Sequence, residues 1–340
     1  MIPLFRPARV YVEEGALDYP LAQRVVGRFR EAGVPVETVT SHTRLPAPPG
    51  DTVRAKYAQA KLTLALGVRK TLDFATSRPS ADYALPLVTG CPGHCEYCYL
   101  QTTLGPRPAV RVYVNVDEIL ARAGAYVKQR APAETLFEGS CTSDPVAVEP
   151  YTGSLRRAVE FFAASPLGRF RFVTKYTEID GLLDADHRGR TQVRFSLNSS
   201  EAIRRWEHAV PGVPARLEAA KRIRAAGYPM GFIIAPVFVE AGWQDDYGRL
   251  VDRLETEFGG DPEVTFEVIT HRYTLKAKTL ILARYPQADL PMDEARRRFK
   301  FGQFGYGKYV YPSDMVQRVA AFFRERLGRT WAADRVLYVI

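Results

Sequence analysis

Ala84-Leu-Pro-Leu-Val-Thr89-Gly-Cys91-Pro-Gly-His-Cys95-Glu-Tyr-Cys98-Tyr99 sets three cysteines directly after a short apolar run. The spacing, C-x3-C-x2-C, lets three thiolates converge on one centre from a single loop. Thiolates are soft ligands and suit zinc or an iron–sulfur cluster. Three local ligands leave a 4Fe–4S cluster with one iron free to chelate a substrate or cofactor. A structural zinc site is the alternative, with the isolated Cys141 as the fourth ligand of a tetrahedral set. His94, inside the loop, reads as a further ligand or as a solvated loop residue.

Working outward, short apolar runs alternate with helical stretches. The strands expected are Ala84 to Val88, Thr135 to Glu138, Arg169 to Thr174, Gln192 to Leu197, Met230 to Val237 and Thr265 to Ile269. Helical periodicity lies between most of them, as in Val116 to Gln129, Leu155 to Ala164, Pro214 to Ala226 and Gln244 to Phe258. Six β-then-α units predict a parallel sheet, and six rather than eight predicts an α/β fold of the incomplete (β/α)6 TIM-like barrel type. Residues 1–80 read as a small N-terminal α/β extension, and residues 81–340 as the barrel with a β-hairpin near 296–311. In such barrels chemistry sits in the loops after the strands. Cys91, Cys95 and Cys98 follow the first strand, Cys141 the second and Lys175 the third. Ser196 and Asn198 end the fourth strand, and Ala235 lies near the end of the fifth. All are expected at one mouth.

Composition narrows the class further. Four cysteines in 340 residues are too few for a small disulfide scaffold. No apolar run approaches the roughly 20 residues of a spanning helix, and Met1 to Arg9 carries no signal-peptide pattern. The reading is a soluble cytoplasmic protein with no membrane partner. The net charge is +9, and Thr270 to Tyr311 holds nine Lys or Arg against three acids, two-thirds of that excess. Within it, Arg296 to Tyr311 (RRRFKFGQFGYGKYVY) reads as a basic, aromatic hairpin turning at Gly302, Gly305 and Gly307. Cations grip phosphates and aromatic faces replace lost base stacking, so a nucleic acid is the expected partner; a solvated amphipathic hairpin is the alternative.

The cluster loop resembles the radical S-adenosylmethionine (SAM) signature, with Tyr97 in its aromatic position. Three longer runs, Gly90 to Gly105, Glu138-Gly-Ser-Cys-Thr-Ser-Asp144 and Gly302 to Tyr311, resemble the spore photoproduct lyase family. That resemblance implies a lyase repairing UV-damaged double-stranded DNA. Its lesion is 5-thyminyl-5,6-dihydrothymine, and its cofactors are a 4Fe–4S cluster on Cys91, Cys95 and Cys98 and SAM. It implies that Cys141 donates a hydrogen atom to the thymine radical, and that Tyr97 and Tyr99 help regenerate SAM. From chemistry alone Cys141 is either such a donor, since a thiol has a weak S–H bond, or an inert buried cysteine.

The resemblance places Lys175, Ser196, Asn198 and Ala235 around SAM, although Asn198 to Ser200 also suits a helix cap. Tyr306 is expected on the lesion, Arg272 and Lys308 on phosphates, and Ser143 and Asp144 on the thymines. A flavodoxin or ferredoxin is the expected electron donor, and the spore core the expected setting. A radical SAM enzyme with another substrate and a zinc-dependent nucleic-acid-binding module are the rival readings. Trp206, Trp243 and Trp331 read as packing residues.

Overall fold

The computed structural model describes residues 5–301 and 307–340. Its larger sheet curls through six successive parallel strands: Ala81–Ala84, Thr135–Glu138, Gly168–Thr174, Thr191–Leu197, Met230–Val237 and Thr265–Thr270. Val336–Val339 adds a seventh parallel strand beside the sixth, and Thr76–Ser77 pairs antiparallel with the first. The incomplete barrel expected from the β-then-α alternation is therefore the observed fold.

The first strand lies three residues earlier than expected. Pro86 has no N–H to give a ladder, and the chain changes sheets there. Leu85 donates to the Glu138 carbonyl, after which Val88–Thr89 pairs antiparallel with Val110–Tyr113 of a second sheet. That sheet runs in the order Val36–Val39, Arg9–Glu13, Thr63–Gly67, Val110–Tyr113, Val88–Thr89, so the chain leading into the cysteine loop belongs to the smaller sheet.

Side-chain alternation along the strands builds two different layers. Phe195, Phe232 and Phe266 pair directly across three strands and are fully buried. Phe232 meets Phe258 edge-on and Phe266 packs on Trp331, so this face lies under the helices. Burying each such ring contributes roughly 2–3 kcal/mol. Helix Trp243–Phe258 answers with a matching stripe, burying Trp243, Tyr247, Leu250, Val251, Leu254 and Phe258. All three tryptophans are buried packing residues.

The opposite face is charged. Glu138 and Arg171 are direct cross-strand partners, Arg194 bonds both Glu138 and Glu267, and Tyr338 on the seventh strand donates to Glu267. Glu138 Oε1 also accepts from Ser140 Oγ at 2.5 Å, which ties this buried quartet to the loop carrying Cys141.

Glu149 caps helix Ser154–Ala163. Its carboxylate accepts the Leu155 and Arg156 N–H groups at 2.7 and 2.9 Å, because Gly153 before the helix offers no side chain. Burial nevertheless pushes this acid up from 4.5 to about 7. The folded state thus holds the proton more tightly than the unfolded one. Stability on this account is full below 4.5 and falls as pH rises toward about 7. Glu149→Gln removes the titration. Urea midpoints at about pH 5 and about pH 8 should differ less in the variant than in the wild type. An unchanged difference contradicts the assignment.

Candidate active site

The cysteine loop and the Cys141 loop lie edge to edge. Gly90 N donates to the Thr142 carbonyl at 2.8 Å, and Gly90 and Ser143 form a parallel bridge. Gly90 sits at φ +93° with the Ala109 carbonyl where a Cβ would be, so only glycine makes this approach without strain. Across the same seam, the Tyr99 hydroxyl donates to the Cys141 carbonyl.

Other elements hold the cysteine loop from behind. His94 N and Glu96 N donate to the carbonyls of His208 and Trp206. Gln101 donates to the Cys95 and Glu96 carbonyls, and His208 Nε2 lies 3.0 Å from Glu96 Oε1. Lys61, 1% exposed, donates to the carbonyls of Cys91 and Gly93 at 2.8 and 2.6 Å. His94 is half-buried against the edge of Tyr57 rather than solvated, and burial lowers it to about 4.

All four cysteines are free thiols. Among the described residues no group of His, Cys, Asp and Glu already stands in a coordinating arrangement. Yet Cys91, Cys95 and Cys98 are electrostatic neighbours. Burial pushes Cys91 up to about 12 and Cys95 higher still, nearby Cys98 adds to both shifts, and Lys61 and Lys175 respectively oppose them. Three unbridged thiols on one tightly held loop, with buried cations beside them, suit a metal cluster. A bound metal takes up such thiols as thiolates.

Cys141 stands apart from that set. Its Sγ is 2.8 Å from Ser77 Oγ and 3.8 Å from the Glu138 carbonyl. Burial pushes its thiol up to about 11, outweighing the lowering by the Ser77 hydrogen bond, so the sulfur keeps its hydrogen at neutral pH. Beside it, Ser143 Oγ is buried without a protein partner. Asp144 accepts from Thr174 Oγ1 and Lys175 N, both at 2.8 Å, and burial raises it to about 6.

Lys175 lies between the Tyr97 hydroxyl at 3.0 Å and Glu207 Oε1 at 2.7 Å. Glu207 is fully buried, receives Arg216 Nη2 at 2.5 Å, and accepts from Tyr97. Although burial opposes its ionisation, Lys175 and Arg216 hold it down at about 2. Ser196 lends its carbonyl to Arg216. Asn198 joins three elements: Nδ2 donates to the Pro236 carbonyl, and Oδ1 accepts from Ser199 N and Tyr247. The helix cap at this corner is Ser199, whose hydroxyl accepts Ala202 N. Ala235 sits where the register between the fifth and sixth strands slips, half-exposed at the rim.

Beyond the mouth, Arg298–Phe301 pairs antiparallel with Gly307–Val310. Lys300 and Lys308 face each other directly, a like-charge pair that weakens a hairpin unless an anion joins it. Desolvation lowers the Lys308 ammonium, and Arg272 and Lys300 lower it further. Phe299 and Phe301 are exposed, and Tyr309 stacks on Tyr273. Tyr306, with Gly302 and Gly305, lies outside the described residues.

Lys61, Ser77, Glu207 and Arg216 escaped the sequence reading, since nothing local marks a residue that acts across long stretches of chain. Only the cation Lys61 at the head of an apolar run offered a signal.

A parallel α/β half-barrel with a three-thiol loop after its first strand defines the class as a radical SAM enzyme. The spore photoproduct lyase family model matches residues 5–340, and the chain belongs to that family. It is 46% identical over 336 residues to the spore photoproduct lyase of Geobacillus sp. (strain Y412MC61), covering 98% of each chain. It is 47% identical over 312 residues to that of Bacillus subtilis (strain 168), covering 91% of each. A spore photoproduct lyase double mutant solved with bound AdoMet and dinucleoside spore photoproduct superposes with a TM-score of 0.96 at 43% identity, covering 99% of this chain and all of that one. A complex of the lyase with dinucleoside spore photoproduct gives 0.95 at 45% identity, covering 97% and 98%. Family membership displaces both rival readings, the other-substrate radical enzyme and the zinc module.

Removing the Glu207 charge tests the electrostatic frame. Glu207→Gln leaves Lys175 and Arg216 facing a neutral amide, and urea denaturation near neutral pH should lose about 3–5 kcal/mol. The wild-type contribution is present above 4.5 and lost as pH falls toward about 2, so the two proteins should converge in acid. Equal stability near neutral pH refutes the ion-pair role.

Proposed function

We propose that this chain reverts 5-thyminyl-5,6-dihydrothymine in UV-damaged double-stranded DNA to two thymines, with Cys141 as the hydrogen-atom donor. The observation that carries this reading is the seam at Gly90–Thr142 and Tyr99–Cys141, which sets a neutral thiol beside the cysteine loop. Cys91, Cys95 and Cys98 would hold a 4Fe–4S cluster. When bound, that cluster and SAM would supply a 5′-deoxyadenosyl radical able to take the hydrogen atom from C6 of the dihydrothymine half, which lets the methylene bridge break.

The protein's own residues then do three things. Lys175, Ser196, Asn198 and Ala235 line the SAM end of the mouth, with one Lys175 N–H beyond its two partners left for a carboxylate. Ser143 and Asp144 offer polar atoms to the thymines, and the unpartnered Ser143 hydroxyl supports this role. Once the methylene bridge has broken, Cys141 gives its hydrogen to the remaining thymine radical. Tyr99, whose hydroxyl meets the Cys141 carbonyl, and Tyr97 on the same loop would pass a hydrogen atom from 5′-deoxyadenosine back to the thiyl so formed, which would allow SAM to be regenerated.

Arg272 and Lys308 grip phosphates while Tyr306 meets the lesion. A basic, aromatic hairpin suits an extruded base pair, and a cross-linked thymine pair lowers the cost of flipping. A flavodoxin or ferredoxin supplies the electron, and the cytoplasm of the spore core is the setting. Among the described residues no helix is long and apolar enough to cross a membrane. In this reading residues 1–80 are an extension that braces the cysteine loop, and residues 81–340 carry the chemistry.

The test is a reductive assay with SAM and the lesion. Cys141→Ala should still cleave SAM at near wild-type rate while thymine yield collapses in favour of misdirected products. Clean thymine at normal yield from that variant overturns the donor role.

A further inference from the structure

Two buried cations stand behind the cysteine loop with no acid to balance them. Lys61 is 1% exposed and Arg284 2%. Lys61 bonds only the Cys91 and Gly93 carbonyls. Arg284 bonds the Gln101 carbonyl at 2.9 Å, the Gln101 side-chain oxygen at 3.2 Å and the Gly105 carbonyl at 3.0 Å. Neither makes an ion pair with any described carboxylate, whereas the buried Arg171, Arg194 and Arg216 and the partly buried Lys175 all do. Tyr57 lies between the two, its ring 5.5 Å from Lys61 Nζ and 4.3 Å from the Arg284 guanidinium.

A buried charge without a counter-charge is costly, and neutral carbonyls offset only part of that cost. The loop adds a geometric clue. A Cβ on Gly93 would come within 2.7 Å of Val210 and 3.4 Å of Cys91 Sγ. The peptide that Lys61 grips is thus packed against the sulfur, and Lys61 is an electrostatic neighbour of Cys91. An anionic group bound by those thiols would supply the missing counter-charge.

We propose that Lys61 and Arg284 act as positioning residues that set the reduction potential of the bound cluster. This rests on the reading that Cys91, Cys95 and Cys98 hold a 4Fe–4S cluster. Each electron added makes a thiolate-ligated cluster one charge more negative. Two fixed, desolvated cations favour that more negative state, and water is too far displaced to screen them. They ease the one-electron reduction that precedes SAM cleavage, the electron coming from a low-potential protein donor or from dithionite.

The experiment is a redox titration of the reconstituted full chain, without SAM, followed by electron paramagnetic resonance of the reduced cluster. Iron and sulfide are counted first. A wild-type chain that holds neither refutes the cluster reading itself, separately from this proposal. Lys61→Gln keeps a donor toward the carbonyls but removes the charge. At a fixed ambient potential its ratio of reduced to oxidised cluster should fall roughly tenfold, about 59 mV toward negative values for one electron. Lys61→Arg, which keeps the charge, should stay at the wild-type ratio, and Arg284→Gln should shift in the same direction as Lys61→Gln.

A fully loaded Lys61→Gln with the wild-type potential overturns the proposal. So does a folded Lys61→Gln that takes up no iron, because Lys61 then only shapes the loop. Should Lys61→Gln not fold, the Arg284→Gln potential decides by the same criterion.

Discussion

The site depends on one seam: the cysteine loop, entered from the smaller sheet, and the loop after the second barrel strand are bonded backbone to backbone at Gly90 and Thr142. Any side chain at residue 90 would strike the Ala109 carbonyl, so the seam closes only with glycine. Once closed, it carries Cys91, Cys95 and Cys98 on one lip of the mouth and Cys141 on the adjoining one. The Tyr99 hydroxyl repeats the connection one turn of chain later. The proposed chemistry rests on a division of labour among four identical side chains, three close together on one loop and one held apart beside Ser77.

Charge organises the rest. The half-barrel is apolar toward its helices and ionic toward its interior, where Glu138, Arg171, Arg194 and Glu267 satisfy one another. Buried ion pairs of this kind add little net stability over apolar packing, but they penalise every misplaced register. Glu138 passes that constraint upward through Ser140 to the Cys141 loop. On the other side of the mouth, Glu207 gathers Lys175, Arg216 and Tyr97 into one network. The two networks fix the lips of the site, and the uncompensated cations behind the cysteine loop complete the field.

Much of this was legible in the sequence. Strand and helix periodicities located the barrel because each strand is apolar on the helix side. The cysteine spacing singled out the loop proposed to hold the cluster, because three soft ligands within eight residues have few other uses. Cys141 was different: residue chemistry left it evenly placed between donor and inert core thiol, and only likeness to a family separated the two. Pro86 misled the boundary of the first strand, since an apolar run does not reveal where a chain leaves one sheet for another. Ser77, Glu207 and Arg216 were invisible, and Lys61 showed only as a cation at the head of an apolar run, because each acts on groups brought near only by tertiary folding. Asn198, proposed near SAM, also ties the fourth and fifth strands to helix Trp243–Phe258, a role the sequence did not show.

The central claim is that a neutral Cys141 thiol supplies the hydrogen that completes repair. A thiol hydrogen exchanges with solvent, whereas the C–H bonds of SAM and of the lesion do not. Repair run in deuterium oxide, with the thymine products analysed by mass spectrometry, measures the transfer directly. The account predicts a single deuterium in the methyl group of one thymine of each repaired pair, and none there when Cys141 is replaced by alanine. Thymines that carry no deuterium after wild-type repair would contradict it.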